Sequence, residues 1–121
     1  MSNRVLIVDD SVSIRAFIKN ALEQGGYEVV GQATNGEEAI ELAFSLEPDY
    51  ITLDNVLPDR LGTDVLKVWT EEGLSSKVIM ISAVDQNKII DQGIKLGAAA
   101  YLIKPFTAEK LLQTIANIQK A

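Results

Sequence analysis

Cysteine and histidine are both absent from the 121-residue sequence. Without cysteine, the chain can form no disulfide and offers no thiolate as a metal ligand, which suits the cytosol. Without histidine, it lacks the usual general base, the commonest transition-metal ligand and an imidazole that could accept a phosphoryl group. Any metal bound by these side chains must therefore be held by oxygen ligands.

Basic residues are in the minority, with 11 Lys and Arg against 17 Asp and Glu and a net charge of −6. This balance disfavours nucleic acid or an anionic membrane as the main partner, because both need a basic surface. No run approaches about 18 consecutive apolar residues, and the N-terminus carries Arg4 but no signal-type apolar run. We expect a single domain over residues 1–121, located in the cytoplasm, with neither nucleic acid nor membrane as a partner.

The apolar residues predict five strands alternating with five helices. Four runs are short and continuous, as in strands buried on both faces, and the second is more polar, as in an edge strand. The predicted strands are Val5–Val8, Tyr27–Ala33, Tyr50–Leu53, Val78–Ile81 and Tyr101–Ile103. Apolar residues at helical spacing fill the segments that follow, the fourth helix covering about Gln86–Leu96, with Asn35 and Thr107 as caps of the second and fifth. Such alternation predicts an α/β fold with a parallel sheet between two layers of helices.

Polar side chains follow four of these strands. Asp9 and Asp10 follow the first, Asp54 the third, Ser82 the fourth and Lys104 the fifth. The carboxyl ends of parallel strands share one edge, and ligands bind there at the point where the strand order reverses, which in the order 2-1-3-4-5 lies between the first and third strands. Three clustered carboxylates repel one another and favour a bound cation. With oxygen ligands alone, Mg²⁺ is the best match.

Each of these side chains also has a purely structural explanation. Asp10 or Ser82 could cap the helix that follows it. Asp54 could open a turn towards Pro58, and Lys104 could be a solvated surface lysine. These explanations do not account for the convergence of all the polar positions on one edge of the sheet.

The strand-end motifs occur in order along essentially the full chain. They are Val8-Asp9-Asp10-Ser11, Leu53-Asp54 with Pro58 and Gly62, Ile81-Ser82-Ala83, and Tyr101-Leu102-Ile103-Lys104-Pro105-Phe106. Together they resemble the motifs of response-regulator receiver domains of the single-domain, CheY-like chemotaxis type. The resemblance implies a flavodoxin-like (βα)5 fold and a role in two-component signal transduction, in which the protein catalyses only its own phosphorylation and autodephosphorylation.

The resemblance assigns a role to each strand-end residue. Asp54 would accept a phosphoryl group from a phosphohistidine of a sensor kinase or phosphotransfer protein. Asp10 and Asp54 would bind Mg²⁺ directly with the backbone carbonyl of Val56, and Asp9 would act largely through water. The remaining two residues would contact the phosphoryl oxygens, Lys104 as a cation and Ser82 as a hydrogen-bond donor.

The resemblance also implies a switch. Lys104-Pro105 would be a cis peptide, and Tyr101 matches the aromatic switch position, although an edge-strand aromatic with its hydroxyl in water explains Tyr101 equally simply. Phosphorylation would move Ser82 and then the ring of Tyr101, remodelling the face formed by the fourth helix, fifth strand and fifth helix. An output protein would dock on this face, and the fourth helix would be the docking element. The alternative is that its isoleucines pack in the core: Ile89, Ile90 and Ile94.

Two departures from the family pattern concern kinetics. Ser82 replaces the commoner threonine, which predicts looser switching. Val56 and Val84 are apolar at the positions two residues after Asp54 and Ser82. We hypothesise that these valines slow autodephosphorylation, because they cannot orient the attacking water.

Other functional classes fit less well. A haloacid-dehalogenase-type phosphatase would need a second Asp at position 56, and a flavin-binding module would not place Asp9 and Asp10 beside a flavin phosphate. An unphosphorylated receiver used as a docking module remains an alternative. Since no DNA-binding domain follows Ala121, we expect chemotaxis-type output through protein contacts or a phosphorelay. We expect a monomer, with a phosphorylation-induced dimer as the alternative.

Overall fold

Five strands alternate with five helices in the computed structural model, which describes residues 3–83 and 87–120 except for the side chains of Asn87, Ile89 and Ile90. The strands are β1 (Arg4–Val8), β2 (Glu28–Ala33), β3 (Tyr50–Asp54), β4 (Lys77–Ala83) and β5 (Ala100–Lys104). The helices are α1 (Val12–Gln24), α2 (Gly36–Leu46), α3 (Gly62–Glu71), α4 (Asn87–Lys95) and α5 (Ala108–Lys120). Each observed strand begins and ends within two residues of the corresponding predicted strand. The predicted start of the fourth helix, Gln86, lies outside the described residues.

The strands form one parallel sheet in the order β2-β1-β3-β4-β5, which confirms the predicted fold class. The register aligns the carboxyl ends of neighbouring strands, with Val8 beside Leu53 and Asp54 beside Ile81. The more polar β2 is an edge strand, as predicted. The order reverses between β1 and β3, so the residues that follow Val8 and those at the end of β3 share one crevice.

Two apolar layers cover the sheet, because successive side chains of each strand point to opposite faces. One layer joins Leu6, Leu53 and Met80 to Val65 and Trp69 of α3, with Ala39 and Ala43 of α2. The other layer packs α1 and α5 on the opposite face through a second set of buried residues: Val5, Ile7, Ile79, Ile81, Leu102, Ile18, Leu22, Leu111 and Ile115. The sheet is therefore a rigid platform for the residues at its carboxyl edge.

Side-chain caps begin three of the helices. The oxygens of Ser11, Asn35 and Thr107 accept hydrogen bonds from the backbone N–H groups of Ile14, Glu38 and Lys110. The caps predicted at Asn35 and Thr107 are present, whereas the first helix is capped by Ser11 rather than by Asp10. At α3 the capping position holds Leu61, which provides no side-chain hydrogen bond. Among the described residues, no helix has the length and apolar character needed to cross a membrane.

Candidate functional site

Three carboxylates meet where the strand order reverses. One oxygen from each of Asp9, Asp10 and Asp54 lies within 4.8 Å of the others. Asp9 and Asp54 are only 1% and 6% exposed, whereas Asp10 is open to solvent. Oδ1 of Asp9 accepts a hydrogen bond of 2.9 Å from the backbone N–H of Ser11, which fixes the side chain of Asp9 at the start of α1.

Lys104 projects from the end of β5 into this cluster, after which the chain continues through a cis Lys104–Pro105 peptide bond. Its Nζ lies 3.1 Å from Oδ1 of Asp54 and 3.4 Å from Oδ2 of Asp9. The ammonium group therefore lies between the two buried carboxylates, and the explanation of Lys104 as a solvated surface lysine is wrong.

The electrostatic balance differs between the two partners of this ion pair. Burial of Asp54 and the neighbouring charge of Asp9 raise the pKa of the Asp54 carboxyl, and the attraction of Lys104 offsets them only in part. Burial of Lys104 opposes its charged form, but the hydrogen bond and charge of Asp54, together with Asp9, outweigh burial and raise the pKa of the ammonium. The site therefore holds more negative charge than one lysine can balance.

Ser82 places a buried hydroxyl at the same carboxyl edge of the sheet. It is 1% exposed in β4, and its Oγ has no hydrogen-bond partner in the described part of the chain. An unpaired buried polar group costs on the order of 1–3 kcal/mol. The alternative that Ser82 caps the fourth helix depends on residues 84–86, which lie outside the described residues. Within the described part of the chain, nothing occupies the Ser82 hydroxyl, so it could bond a ligand at the site.

The β3–α3 loop forms the wall beside Asp54. Val56 and Leu61 pair across an antiparallel bridge, and both side chains are exposed, at 57% and 44%. Gly62 closes the loop against β3, since a Cβ there would lie 2.7 Å from the carbonyl oxygen of Asp54 and 2.8 Å from Cα of Asn55. Only glycine allows this close approach.

Sequence reasoning missed two residues that brace the site. The carboxylate of Asp59 accepts hydrogen bonds from the backbone N–H groups of Gly36 (2.7 Å) and Glu37 (2.9 Å), which joins the β3–α3 loop to the start of α2. Arg15 of α1 donates to the backbone carbonyl of Asp9 at 2.7 Å. Neither contact has a local sequence signal. Asp59 is more than 20 residues from its partners, and Arg15 binds a backbone carbonyl, which every residue has.

The donor set fits Mg²⁺. Three carboxylates converge without nitrogen or sulfur ligands, two of them are buried, and the backbone carbonyl of Val56 follows Asp54 closely in the chain. A hard divalent cation with oxygen ligands matches this set better than a transition metal. Such a cation would also balance the negative charge that Lys104 leaves uncompensated.

Comparison with known proteins identifies the family. The family model described as the response regulator receiver domain matches residues 5–116. The chain belongs to this receiver family. The chemotaxis protein CheY of Thermotoga maritima is 37% identical over 120 residues, which cover 99% of this chain and 100% of CheY. CheY of Bacillus subtilis is 36% identical over 95% of this chain and 96% of its own.

Solved structures agree with this assignment. The receiver domain of the response regulator NarL from Mycobacterium tuberculosis superposes with a TM-score of 0.92 at 31% identity, over 99% of this chain and 98% of its own. A chain of the CheX–CheY–BeF₃–Mg²⁺ complex from Borrelia burgdorferi gives a TM-score of 0.91 at 30% identity, over 96% and 88% of the two chains. Receiver domains are phosphorylated on aspartate in two-component signalling, bind Mg²⁺ at an acidic pocket and interact with histidine kinases and output partners.

Membership of the receiver family excludes two of the functional classes considered from the sequence. The chain is a signalling protein rather than a classical enzyme. The haloacid-dehalogenase and flavin-binding alternatives are wrong.

Tyr101 is 44% exposed on β5, which places the predicted switch residue at the surface. Val84, which forms half of the hypothesis on autodephosphorylation, lies outside the described residues.

Proposed function

We propose that Asp54 is the phosphoacceptor of this receiver domain and that residues 1–121 act as one domain. The observation that carries the proposal is the position of the Lys104 ammonium, 3.1 Å from Oδ1 of Asp54 at the centre of the acid cluster. Asp54 is the last residue of β3 and is 6% exposed, so its carboxylate is held by the sheet but remains open to a phosphodonor. Neither Asp9 nor Asp10 combines these properties.

The proposed reaction is transfer of a phosphoryl group from a phosphohistidine. An Asp54 carboxylate oxygen attacks phosphorus in line with the N–P bond, and an O–P bond forms as the N–P bond breaks. The electron pair of the broken bond stays on the imidazole nitrogen, which takes a proton. Lys104 stabilises the charge that spreads over the phosphoryl oxygens, and the Ser82 hydroxyl donates a hydrogen bond to one of them.

Asp10, Asp54 and the backbone carbonyl of Val56 would hold Mg²⁺ directly, and Asp9 would act largely through water. When bound, the ion supplies a positive charge that reduces repulsion between the attacking carboxylate and the phosphoryl group. The protein's own contribution is the fixed placement of Asp9 by the Ser11 N–H and of the β3–α3 loop by Gly62. These contacts support the metal site before any cation binds.

The output surface that we propose is the α4-β5-α5 face, with Ser82 and Tyr101 as the switch. Ser82 lacks a hydrogen-bond partner within the described residues, so a phosphoryl oxygen on Asp54 would give it one. A groove of about 510 Å³ runs beside Tyr101 and Phe106 between β5 and α5. Ile94 is 50% exposed on α4, whereas the side chains of Ile89 and Ile90 lie outside the described residues. Because the CheY relatives are chemotaxis proteins, we propose a chemotaxis-type output partner.

Incubation with Mg²⁺ and acetyl phosphate tests the phosphoacceptor. Intact-mass spectrometry should show one added phosphoryl group on the wild type and none on Asp54→Ala. Asp64→Ala, which removes an exposed carboxylate from the first turn of α3, is the matched control and should be labelled like the wild type. Equal labelling of Asp54→Ala and the wild type would overturn the proposal.

A further inference from the structure

Val56 and Leu61 form a cross-strand pair of a particular kind. Their antiparallel bridge is flanked by two backbone hydrogen bonds, Leu57 N–H to Arg60 O (3.3 Å) and Gly62 N–H to Asn55 O (2.6 Å). The bridge residues do not themselves exchange hydrogen bonds, and in such pairs the side chains are closest to each other. The bridge therefore places the side chains of Leu61 and Val56 next to each other, and both are exposed on the loop that follows Asp54.

Leu61 lies at a position where a polar residue would stabilise the start of α3. Leu61 is at the capping position of α3, where Ser, Thr, Asp or Asn would accept a hydrogen bond from a free backbone N–H. The corresponding positions of α1 and α2 hold Ser11 and Asn35, which do accept such bonds. Leu61 is also 44% exposed and belongs to neither of the two apolar layers that cover the sheet. Neither helix capping nor core packing explains it, whereas its cross-strand pairing with Val56, two residues after Asp54, does.

We propose that Leu61 is a positioning residue that holds the Val56 side chain as an apolar wall beside Asp54 and thereby prolongs the life of the aspartyl phosphate. This inference rests on the proposed phosphorylation of Asp54. In hydrolysis, a water oxygen attacks phosphorus, the bond from phosphorus to the Asp54 oxygen breaks, and its electron pair returns to the carboxylate. The water releases its proton to solvent, and inorganic phosphate leaves. Two aliphatic side chains can neither accept that proton nor orient the water.

The substitution Leu61→Asn separates this role from a role in folding. Asn restores a capping oxygen for α3, so the melting temperature should rise by roughly 2–5 °C. The same change opens the apolar wall and adds a polar group, so the aspartyl phosphate should hydrolyse roughly threefold to tenfold faster, as expected for one hydrogen bond to the attacking water. Leu61→Met keeps an apolar side chain without a cap, and should match the wild type in both measurements.

A double-mutant cycle tests whether Leu61 acts through Val56. Val56→Asn should also shorten the lifetime, and adding Leu61→Asn to it should give clearly less than the product of the two single effects. The lifetime is read from the decay of the phosphorylated mass after acetyl phosphate is removed. If the wild type takes up no phosphate on Asp54, the proposed function has failed. If it does, an unchanged lifetime in Leu61→Asn, or independent effects in the double variant, would overturn the role of Leu61 alone.

Discussion

Nζ of Lys104 lies 3.1 Å from Oδ1 of Asp54, within the cluster of three carboxylates. The same Nζ lies 3.4 Å from Oδ2 of Asp9, so one ammonium serves both buried carboxylates. Lys104 and a bound Mg²⁺ would therefore act on the same group of carboxylates, with Lys104 offsetting part of the negative charge and Mg²⁺ the remainder. Two cations that act on the same carboxylates oppose each other's binding, and this coupling is reciprocal.

Replacing Lys104 with Met tests this coupling. Without Mg²⁺, the variant should melt about 4–8 °C below the wild type, because two buried carboxylates lose their counterion. Mg²⁺ at ten times its dissociation constant should stabilise the wild type by about 1.4 kcal/mol. The Mg²⁺-induced rise in melting temperature should be larger in Lys104→Met. Lys67→Met, on the exposed surface of α3, is the control and should behave like the wild type. An equal effect of Mg²⁺ on Lys104→Met and the wild type would contradict the proposed competition.

The contact of Asp59 with α2 predicts a dependence of stability on pH. Hydrogen bonds from the backbone N–H of Gly36 and also of Glu37 lower the pKa of the Asp59 carboxyl below its ordinary value of 3.8. A lowered pKa in the folded state stabilises the protein above that ordinary value, and this stabilisation is lost as the pH falls through the folded-state pKa. Asp59→Ala should therefore lower the melting temperature at pH 7 by roughly 2–5 °C.

The difference between Asp59→Ala and the wild type should shrink as the pH is lowered through 3.8 and below. Thermal unfolding followed by circular dichroism over this pH range measures it. Glu41→Ala, on the exposed face of α2, is the control and should shift the melting temperature by no more than about 2 °C at pH 7. A constant difference across the pH range would show that the charge of Asp59 does not stabilise the start of α2.

Two glycines at the first positions of helices provide a matched pair of substitutions. A Cβ at Gly62 would clash with the backbone of Asp54 and Asn55, so Gly62→Ala should cost about 1–3 kcal/mol and slow phosphorylation of Asp54. A Cβ at Gly36 would lie 2.5 Å from Cγ and 2.7 Å from Cδ of Arg60 and 3.0 Å from Cγ2 of Val65, so side chains rather than backbone would have to shift. Gly36→Ala should therefore cost less stability than Gly62→Ala and leave phosphorylation of Asp54 unchanged. Urea unfolding and phosphate uptake measure both effects, and equal losses in the two variants would count against a special role of Gly62.

The strands could be predicted from the sequence because they depend on local patterns, whereas their order depends on pairing between distant segments and followed from the family resemblance. Apolar runs such as Val5–Val8 are long enough to identify buried strands, and the polar residues at their ends indicate which edge carries the site. The cap of α1 was open to error because Asp9, Asp10 and Ser11 are consecutive residues able to cap a helix. Only the structure shows that Ser11 accepts from Ile14 while Asp9 turns into the acid cluster.

The support of the site could not be predicted, because it depends on contacts between distant residues. Asp59 binds the start of α2 from 22 and 23 residues away, and nothing in the intervening sequence indicates this pairing. Leu61 did carry a readable signal, since a leucine directly before Gly62 leaves α3 without a side-chain cap. Its proposed role, however, depends on the bridge that pairs Leu61 with Val56, and this bridge has no sequence signal.

Chemical localisation of the phosphoryl group tests the central claim most directly. After incubation with Mg²⁺ and acetyl phosphate, borohydride reduces an aspartyl phosphate to homoserine, and peptide mass spectrometry identifies the modified residue. The account predicts homoserine at position 54 in the wild type, with Asp9, Asp10 and Asp59 unmodified. Homoserine at any of those other positions, or phosphate uptake that leaves residue 54 as aspartate after reduction, would contradict it.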